Sequence, residues 1–204
     1  MCENPNRFST IILLLRSSRK LFGCDLKTGI YNKNELNEEN YENETYQSFQ
    51  FTGLINYLIL LEQFGSIFKP KNQLKIKEKN GIFCSLKYYS SLSIDQIETI
   101  RSLRNSLAHK FGLATEKKQN KKPPRKFIIS IEHNPEIVKL PKIDWAGVFT
   151  DKSQQSSTTI HIINLITLIE SIYQQMVTDN NSNNLALILE DGIPELETRY
   201  TIIN

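Results

Sequence analysis

The segment Ser93-Ile-Asp-Gln-Ile-Glu-Thr-Ile-Arg-Ser-Leu-Arg-Asn-Ser-Leu-Ala-His109 predicts a well-defined helix that carries a cluster of polar residues. Ser93 and Gln96 have the spacing of a capping box, in which each side chain accepts a hydrogen bond from the backbone N–H of the other residue. Gly112 is expected to end the helix, because glycine readily adopts the left-handed conformation found after helix C-termini. Both ends of the helix are therefore predicted by local signals.

This motif helix has an apolar side and a polar side at the helical period. The apolar side is formed by Ile97, Ile100, Leu103, Leu107 and Ala108. The polar side is formed by Glu98, Arg101, Ser102, Asn105 and His109. Core packing does not require this polar cluster, so it is a candidate functional surface. Asn105 and His109, four residues apart, lie one above the other and can contact the same ligand.

Arg104 lies at the border of the apolar side. It precedes His109 by five residues, which places it about 7.5 Å away along the axis and rotated by about 140°. A single helix therefore does not easily bring Arg104 and His109 together on one small group. Two copies related by a two-fold axis can do so in a shared cleft, and this geometry predicts a homodimer.

The hexapeptide Arg104-Asn-Ser-Leu-Ala-His109 resembles the signature of HEPN domains, in which an arginine and a polar residue precede a histidine late in a bundle helix. The resemblance covers residues 46–113 and one later helix. It implies a HEPN-like helical bundle that cleaves RNA at a dimer interface without a metal ion or other cofactor, with Arg104, Asn105 and His109 as catalytic residues. It also implies a toxin–antitoxin or antiviral defence context with a partner protein. Because the family includes members that only bind, the alternative is a non-catalytic module for RNA, a nucleotide or a protein.

The residue types suit RNA cleavage independently of the resemblance. The reaction needs a proton removed from the 2′-OH, a proton given to the leaving oxygen, and charge neutralised on the phosphoryl oxygens. Histidine can act as acid or base, and arginine offers a charged fork matched to phosphate. Asn105 is suited to orient either the phosphate or the imidazole. The structural alternatives are a histidine favoured by the helix dipole and an arginine held in a salt bridge.

The net charge of +3 conceals an uneven distribution, because residues 69–126 contain 15 basic and 4 acidic residues. Concentrated positive charge attracts polyanions such as RNA, although solvated surface lysines are the alternative. Residues 114–126 form a predicted basic loop directly after the motif helix, which is suited either to hold an RNA backbone or to act as a linker. The predicted substrate-binding residues are Arg101, Lys110, Lys117, Lys118, Lys121 and Lys122.

Composition favours one soluble domain over residues 1–204 rather than two small domains, since 39% of the residues are hydrophobic and 23% are charged. Cys2, Cys24 and Cys84 show neither metal-ligand spacing nor an even-numbered disulfide pattern. We therefore expect a reducing cytoplasm and no metal site. No apolar run reaches the length needed to span a membrane, so no membrane association is expected.

The remaining segments predict a mainly α fold with a small β-hairpin insertion at residues 127–140. Helices are expected at about 6–22, with a stop at Gly23, and at 46–68, 81–90 and 158–177. A mobile acidic surface loop is expected at 25–45, and two short elements are expected after residue 184. His133 in the hairpin turn and His161 at the start of the last long helix receive no functional role. Tyr88 and Tyr89 are expected to pack in the core, with base stacking as the alternative.

Overall fold

The computed structural model describes residues 7–32, 44–73, 76–78, 80–115, 123–132 and 134–203. This part of the chain is mainly α-helical, as predicted. None of its helices is both long and apolar enough to cross a membrane. The elements in chain order are β1 (Arg7–Ser9), α1 (Thr10–Phe22), α2 (Glu44–Ile67), β2 (Phe68–Pro70), α3 (Gly81–Tyr89), α4 (Ile94–Lys110), β3 (Phe127–Ser130), β4 (Val138–Lys139), a 3-10 turn (Gln154–Ser156), β5 (Thr158–His161), α5 (Ile162–Asn181), β6 (Leu185–Leu187), α6 (Gly192–Tyr200) and β7 (Thr201–Ile203).

The chain forms two compact units, Met1–Ser91 with Ile169–Asn204, and Leu92–Leu168. Helix α5 therefore contributes residues to both. The single domain expected over residues 1–204 stays a prediction, because two compact units can belong to one domain.

In the first unit, α2 packs against both α1 and α3. The contact between α2 and α3 requires glycine on both sides. A Cβ atom at Gly65 would collide with the carbonyl oxygen of Gly81, and one at Gly81 would collide with the carbonyl oxygen of Glu62. The two backbones therefore approach more closely than any other residue type allows.

Two antiparallel strand pairs complete the first unit. β1 pairs with β7, with Arg7 opposite Ile203, and β2 pairs with β6, with Phe68 opposite Leu187. The predicted helix start near residue 6 is therefore wrong, since residues 7–9 are a strand and α1 begins at Thr10. The stop at Gly23 is confirmed by its φ of 78°. Of the two terminal elements expected after residue 184, the first is found as β6, whereas the second is divided into α6 and β7.

A buried ion pair joins α1 to α5 within the first unit. Arg19 donates from Nε to Oε1 of Glu170 at 2.9 Å and from Nη2 to Oε2 at 2.7 Å. The Tyr57 hydroxyl donates to the same Oε1 at 2.7 Å. The side chains of Arg19 and Glu170 are only 4% and 7% exposed. The hydrogen bond and the charge of Glu170 raise the pKa of Arg19, which favours its charged form.

The same arginine fixes the first part of the predicted acidic loop. Its Nη1 donates to the carbonyl oxygens of Leu26 at 2.8 Å and Lys27 at 3.1 Å. Gly29 has a φ of 73°, and a Cβ atom there would collide with the Glu170 carboxylate. Residues 25–32 are thus held against the helices, which corrects their interpretation as a mobile loop. Residues 33–43 of the predicted loop lie outside the described residues.

The second unit contains a three-stranded sheet in the order β3-β5-β4. β5 is parallel to β3, with Phe127 opposite Thr158, and antiparallel to β4, with Val138 opposite Ile160. The predicted β-hairpin over residues 127–140 is therefore wrong, because its two strands exist but are separated by β5. The predicted helix start at Thr158 is also wrong, since Thr-Thr-Ile-His forms β5 and α5 begins at Ile162. Three β-branched residues in succession favour the extended strand.

Candidate active site

Helix α4 carries the motif residues, and its start is fixed as predicted. The Ser93 Oγ accepts from the Gln96 backbone N–H at 3.3 Å, and the Gln96 Oε1 accepts from the Ser93 backbone N–H at 3.0 Å. The Gln96 Nε2 also donates to the Val138 carbonyl oxygen at 3.3 Å. The capping box is thereby confirmed, and it also connects the first turn of α4 to β4.

The end of α4 differs from the prediction. The left-handed residue is Phe111, with a φ of 49°, and not Gly112. The Phe111 N–H donates to the Leu107 carbonyl oxygen at 3.1 Å, and the Gly112 N–H donates to the Ser106 carbonyl oxygen at 3.4 Å. The turn that closes the helix therefore begins one residue earlier than the sequence suggested.

The two sides of α4 agree largely with the helical pattern. Four predicted packing residues, Ile97, Ile100, Leu103 and Leu107, are at most 1% exposed. Ala108 is only half-buried, whereas Ser106 is buried and donates from its Oγ to the Ala114 carbonyl oxygen at 2.8 Å. Asn105 and His109 are exposed. Ser106 thus connects the motif helix to the segment that follows it, a role that the sequence reading missed.

Arg104 is half-buried: its Nε is buried, whereas its Nη1 reaches the exposed residue that follows it. Its Nη1 donates to the Asn105 Oδ1 at 3.2 Å. Arg104 and His109 are separated by about 140° around the helix axis. Because the long Arg104 side chain reaches Asn105, it covers part of this angle. The Asn105 amide retains its Nδ2 N–H groups, which are donors that a phosphate oxygen accepts. Arg104 and Asn105 together can present one cationic and one neutral donor to an anion.

Arg101 and Lys110 were predicted to bind substrate, and both lie on α4. Arg101 forms an ion pair with Glu98, at 3.2 Å between Nη1 and Oε1, in which both side chains are about one-fifth to one-quarter exposed. Partly exposed ion pairs contribute about 0–1 kcal/mol, so a phosphate can compete for this arginine. Lys110 is exposed in the last turn. Both assignments stay predictions.

The basic loop begins and ends at adjacent positions after α4. Thr115 and Arg125 are joined by two hydrogen bonds, from the Thr115 N–H to the Arg125 carbonyl oxygen and from the Arg125 N–H to the Thr115 Oγ1, each at 2.7 Å. Ala114 and Lys126 form an antiparallel bridge. Lys117, Lys118, Lys121 and Lys122 lie outside the described residues. Their loop nevertheless starts and returns close to the end of the motif helix.

Lys126 at the base of this loop has a structural contact. Its Nζ lies 3.3 Å from the Asp151 Oδ2 and donates to the Asp151 carbonyl oxygen at 2.9 Å. Hydrogen bonds from Ser156 and from the Ser153 backbone N–H, together with Lys126, lower the pKa of the Asp151 carboxyl. The loop base is thus fastened to the segment before β5.

Replacing Lys117, Lys118, Lys121 and Lys122 together by glutamine is expected to weaken RNA binding and to reduce its dependence on salt. Each lost phosphate contact should lower the slope of log K against log salt by about 0.7–0.9. Binding titrations between low and high salt measure this slope. The fold should be unchanged, and an unchanged slope would mean that the loop is only a linker.

His161, Tyr88 and Tyr89 lie outside helix α4 and make contacts of their own. His161 is buried in β5, where its Nδ1 lies 3.3 Å from the Glu132 carbonyl oxygen, and His133 lies outside the described residues. Tyr88 is 8% exposed and its hydroxyl accepts from the Ile76 N–H at 3.0 Å, which confirms packing. Tyr89 is half-buried against it.

The cysteines within the described residues, Cys24 and Cys84, are buried free thiols, and burial raises the pKa of Cys24 to about 11. The described residues include no group of three His, Cys, Asp or Glu side chains placed to hold a metal ion.

No protein family, curated protein or solved structure matches this chain in the comparisons with known proteins.

Proposed function

We propose that this protein is a metal-independent endoribonuclease of the HEPN type, with Arg104, Asn105 and His109 acting on RNA. The observation that carries the proposal is the hydrogen bond from Arg104 to Asn105, because it draws the guanidinium toward the exposed side on which His109 lies. A helix that used these residues only for packing would have no need for such an arrangement of polar groups. The basic loop that starts and ends beside the helix adds a surface for the RNA backbone.

In the proposed reaction, a histidine removes the proton from a ribose 2′-OH, and the 2′ oxygen attacks the adjacent phosphorus atom. The bond from phosphorus to the 5′ oxygen breaks, and that oxygen leaves with a proton from a second acid. The products are a 2′,3′-cyclic phosphate and a 5′-hydroxyl. Arg104 and the Asn105 amide donate to the non-bridging oxygens, where negative charge increases in the transition state.

The second acid and a second arginine are supplied by another copy of the chain in this proposal. Two α4 helices about a two-fold axis would place two copies of Arg104, Asn105 and His109 around one cleft. We further propose that the nuclease belongs to a cytoplasmic toxin–antitoxin or antiviral defence system, in which a partner protein controls access to this cleft.

Incubation of the protein with mixed RNA in EDTA is expected to give fragments with 2′,3′-cyclic phosphate ends. Histidine and arginine provide the proton transfers and the charge neutralisation, so removal of divalent ions should leave the rate unchanged. Fragment ends are identified by their resistance to a phosphatase before, but not after, mild acid treatment. A requirement for a divalent ion would contradict this mechanism. RNA binding without cleavage would favour the non-catalytic module instead.

A further inference from the structure

Phe111 combines two unusual properties. Its ring is 74% exposed, and its backbone has a left-handed conformation with φ of 49° and ψ of 30°. Residues other than glycine, asparagine and aspartate rarely adopt this conformation, and for a bulky residue it is a clear outlier. An exposed aromatic ring in a disfavoured backbone conformation gains little from packing.

The helix end does not require an aromatic residue. The hydrogen bonds that close α4 are made by the backbone N–H groups of Phe111 and Gly112. Glycine at position 111 would make the same bonds without the steric cost of a Cβ atom. The helix end therefore does not explain the strained backbone conformation of Phe111. Such strain is concentrated at functional sites, which makes the Phe111 side chain a candidate functional group.

The sequence around Phe111 is rich in positively charged residues. Phe111 follows His109 by two residues, and the described residues 101–115 and 123–126 contain five lysines and arginines and no aspartate or glutamate. The hydrogen bonds between Thr115 and Arg125 close the basic loop four residues beyond the ring. An aromatic face beside positive charge binds single-stranded nucleic acid, because the ring stacks on a base while the cations contact phosphates. A surface that binds another protein is instead expected to form a continuous apolar patch.

We infer that the Phe111 ring is a platform on which one unpaired base of the RNA stacks next to His109. This inference rests on the proposed function and deepens it, because it selects unpaired RNA as the substrate. Stacking fixes the position of one nucleotide relative to the histidine, while it tolerates all four bases since each has a π face. The enzyme should therefore prefer single strands and loops over duplexes, without a strong preference for one sequence at this position.

The test compares Phe111→Leu and Phe111→Gly in protein that also carries His109→Ala, so that binding is measured without cleavage. Both variants should bind a fluorescent single-stranded oligonucleotide about tenfold more weakly, which is the loss of one base–aromatic stack. Phe111→Trp should retain the affinity. Phe111→Gly should not lower the melting temperature, because glycine relieves the left-handed conformation. Phe149→Leu is the matched control, since Phe149 is 64% exposed in the same unit.

Oligonucleotides with a single abasic position identify the stacked base. One abasic position should weaken binding about tenfold to protein with Phe111 but cause no further loss with Phe111→Leu. Equal losses with both proteins, or unchanged affinity in the Phe111 variants, would overturn the inference. Dissociation of the dimer by Phe111→Leu, with RNA affinity retained, would assign the ring to a protein interface. Cleavage by the wild type in EDTA tests the proposed function separately, since RNA binding without cleavage removes the nuclease but leaves the stacking testable.

Discussion

His109→Ala is expected to reduce RNA cleavage by at least about a hundredfold, the effect of losing a general acid or base. His109 is exposed in the last turn of α4, so its removal should change the free energy of unfolding by no more than about 0.5 kcal/mol. Cleavage of a labelled RNA in EDTA measures the rate, and thermal unfolding verifies the fold. Asp95→Asn, which alters an exposed residue in the first turn of the same helix, is the control and should retain the wild-type rate.

The same experiment tests the dimer when sedimentation is added. Both the wild type and His109→Ala should sediment as dimers, because the histidine is proposed to act in the cleft without holding the two copies together. A fully active monomer would refute the shared cleft, and a His109→Ala variant with the wild-type rate would refute the catalytic role. Arg104→Lys complements the test, because lysine retains the charge but loses the planar fork that matches a phosphate.

Glu170→Ala is expected to lower the free energy of unfolding by about 3–5 kcal/mol, because it leaves Arg19 as a buried charge without its partner. The substitution also removes the acceptor of the Tyr57 hydroxyl. Unfolding in denaturant, followed by circular dichroism, measures the change. Such a loss is a large fraction of the stability of an ordinary domain.

Arg199→Ala is the matched control for this ion pair. Arg199 lies 2.8 Å from Glu195, measured from Nη2 to Oε1, but its side chain is 59% exposed. Surface ion pairs of this kind contribute about 0–1 kcal/mol. If Glu170→Ala and Arg199→Ala lowered the free energy of unfolding by similar amounts, the buried ion pair of Arg19 would contribute no more to stability than an exposed one.

The elements that the sequence predicted well are those that depend on neighbouring residues. The capping box at Ser93 and Gln96 and the left-handed Gly23 are encoded within a few positions, so both could be identified without knowing the fold. The apolar period of α4 likewise predicted four buried residues correctly. The start of α5 was missed because β5 directly precedes the helix, and its one apolar residue, Ile160, extends the apolar pattern of the helix toward the N-terminus.

The pairing of the strands depended on distant residues and could not be predicted. Residues 127–130 and 138–139 were recognised as strands, but the short distance between them suggested a hairpin. Nothing near them indicates that residues 158–161 would lie between them. The three-residue strands β1, β2, β6 and β7 are too short for a period-2 pattern, and each is stabilised by a partner far away in the chain.

For the candidate site, the sequence predicted the residues but not their contacts. Backbone geometry placed Arg104 away from His109, whereas the side chain reaches Asn105 and offsets part of this separation. Phe111 was overlooked because Gly112 supplied the expected stop signal one residue later. The sequence does show an aromatic residue immediately before that glycine. Its importance as a candidate functional residue follows only from its φ and its exposure, which the structure provides.

The order of the sheet in the second unit also has a consequence for the synthesis of the protein. As the chain leaves the ribosome, β3 and β4 emerge without partners and remain so until β5, the strand between them, has followed. Unpaired strands of this kind can associate with other chains, so the nascent protein is prone to aggregation during this interval. A chain that stops before residue 158 would carry the whole of α4 but not the sheet that its first turn contacts. Correct assembly around the motif helix therefore has to wait until β5 has been synthesised.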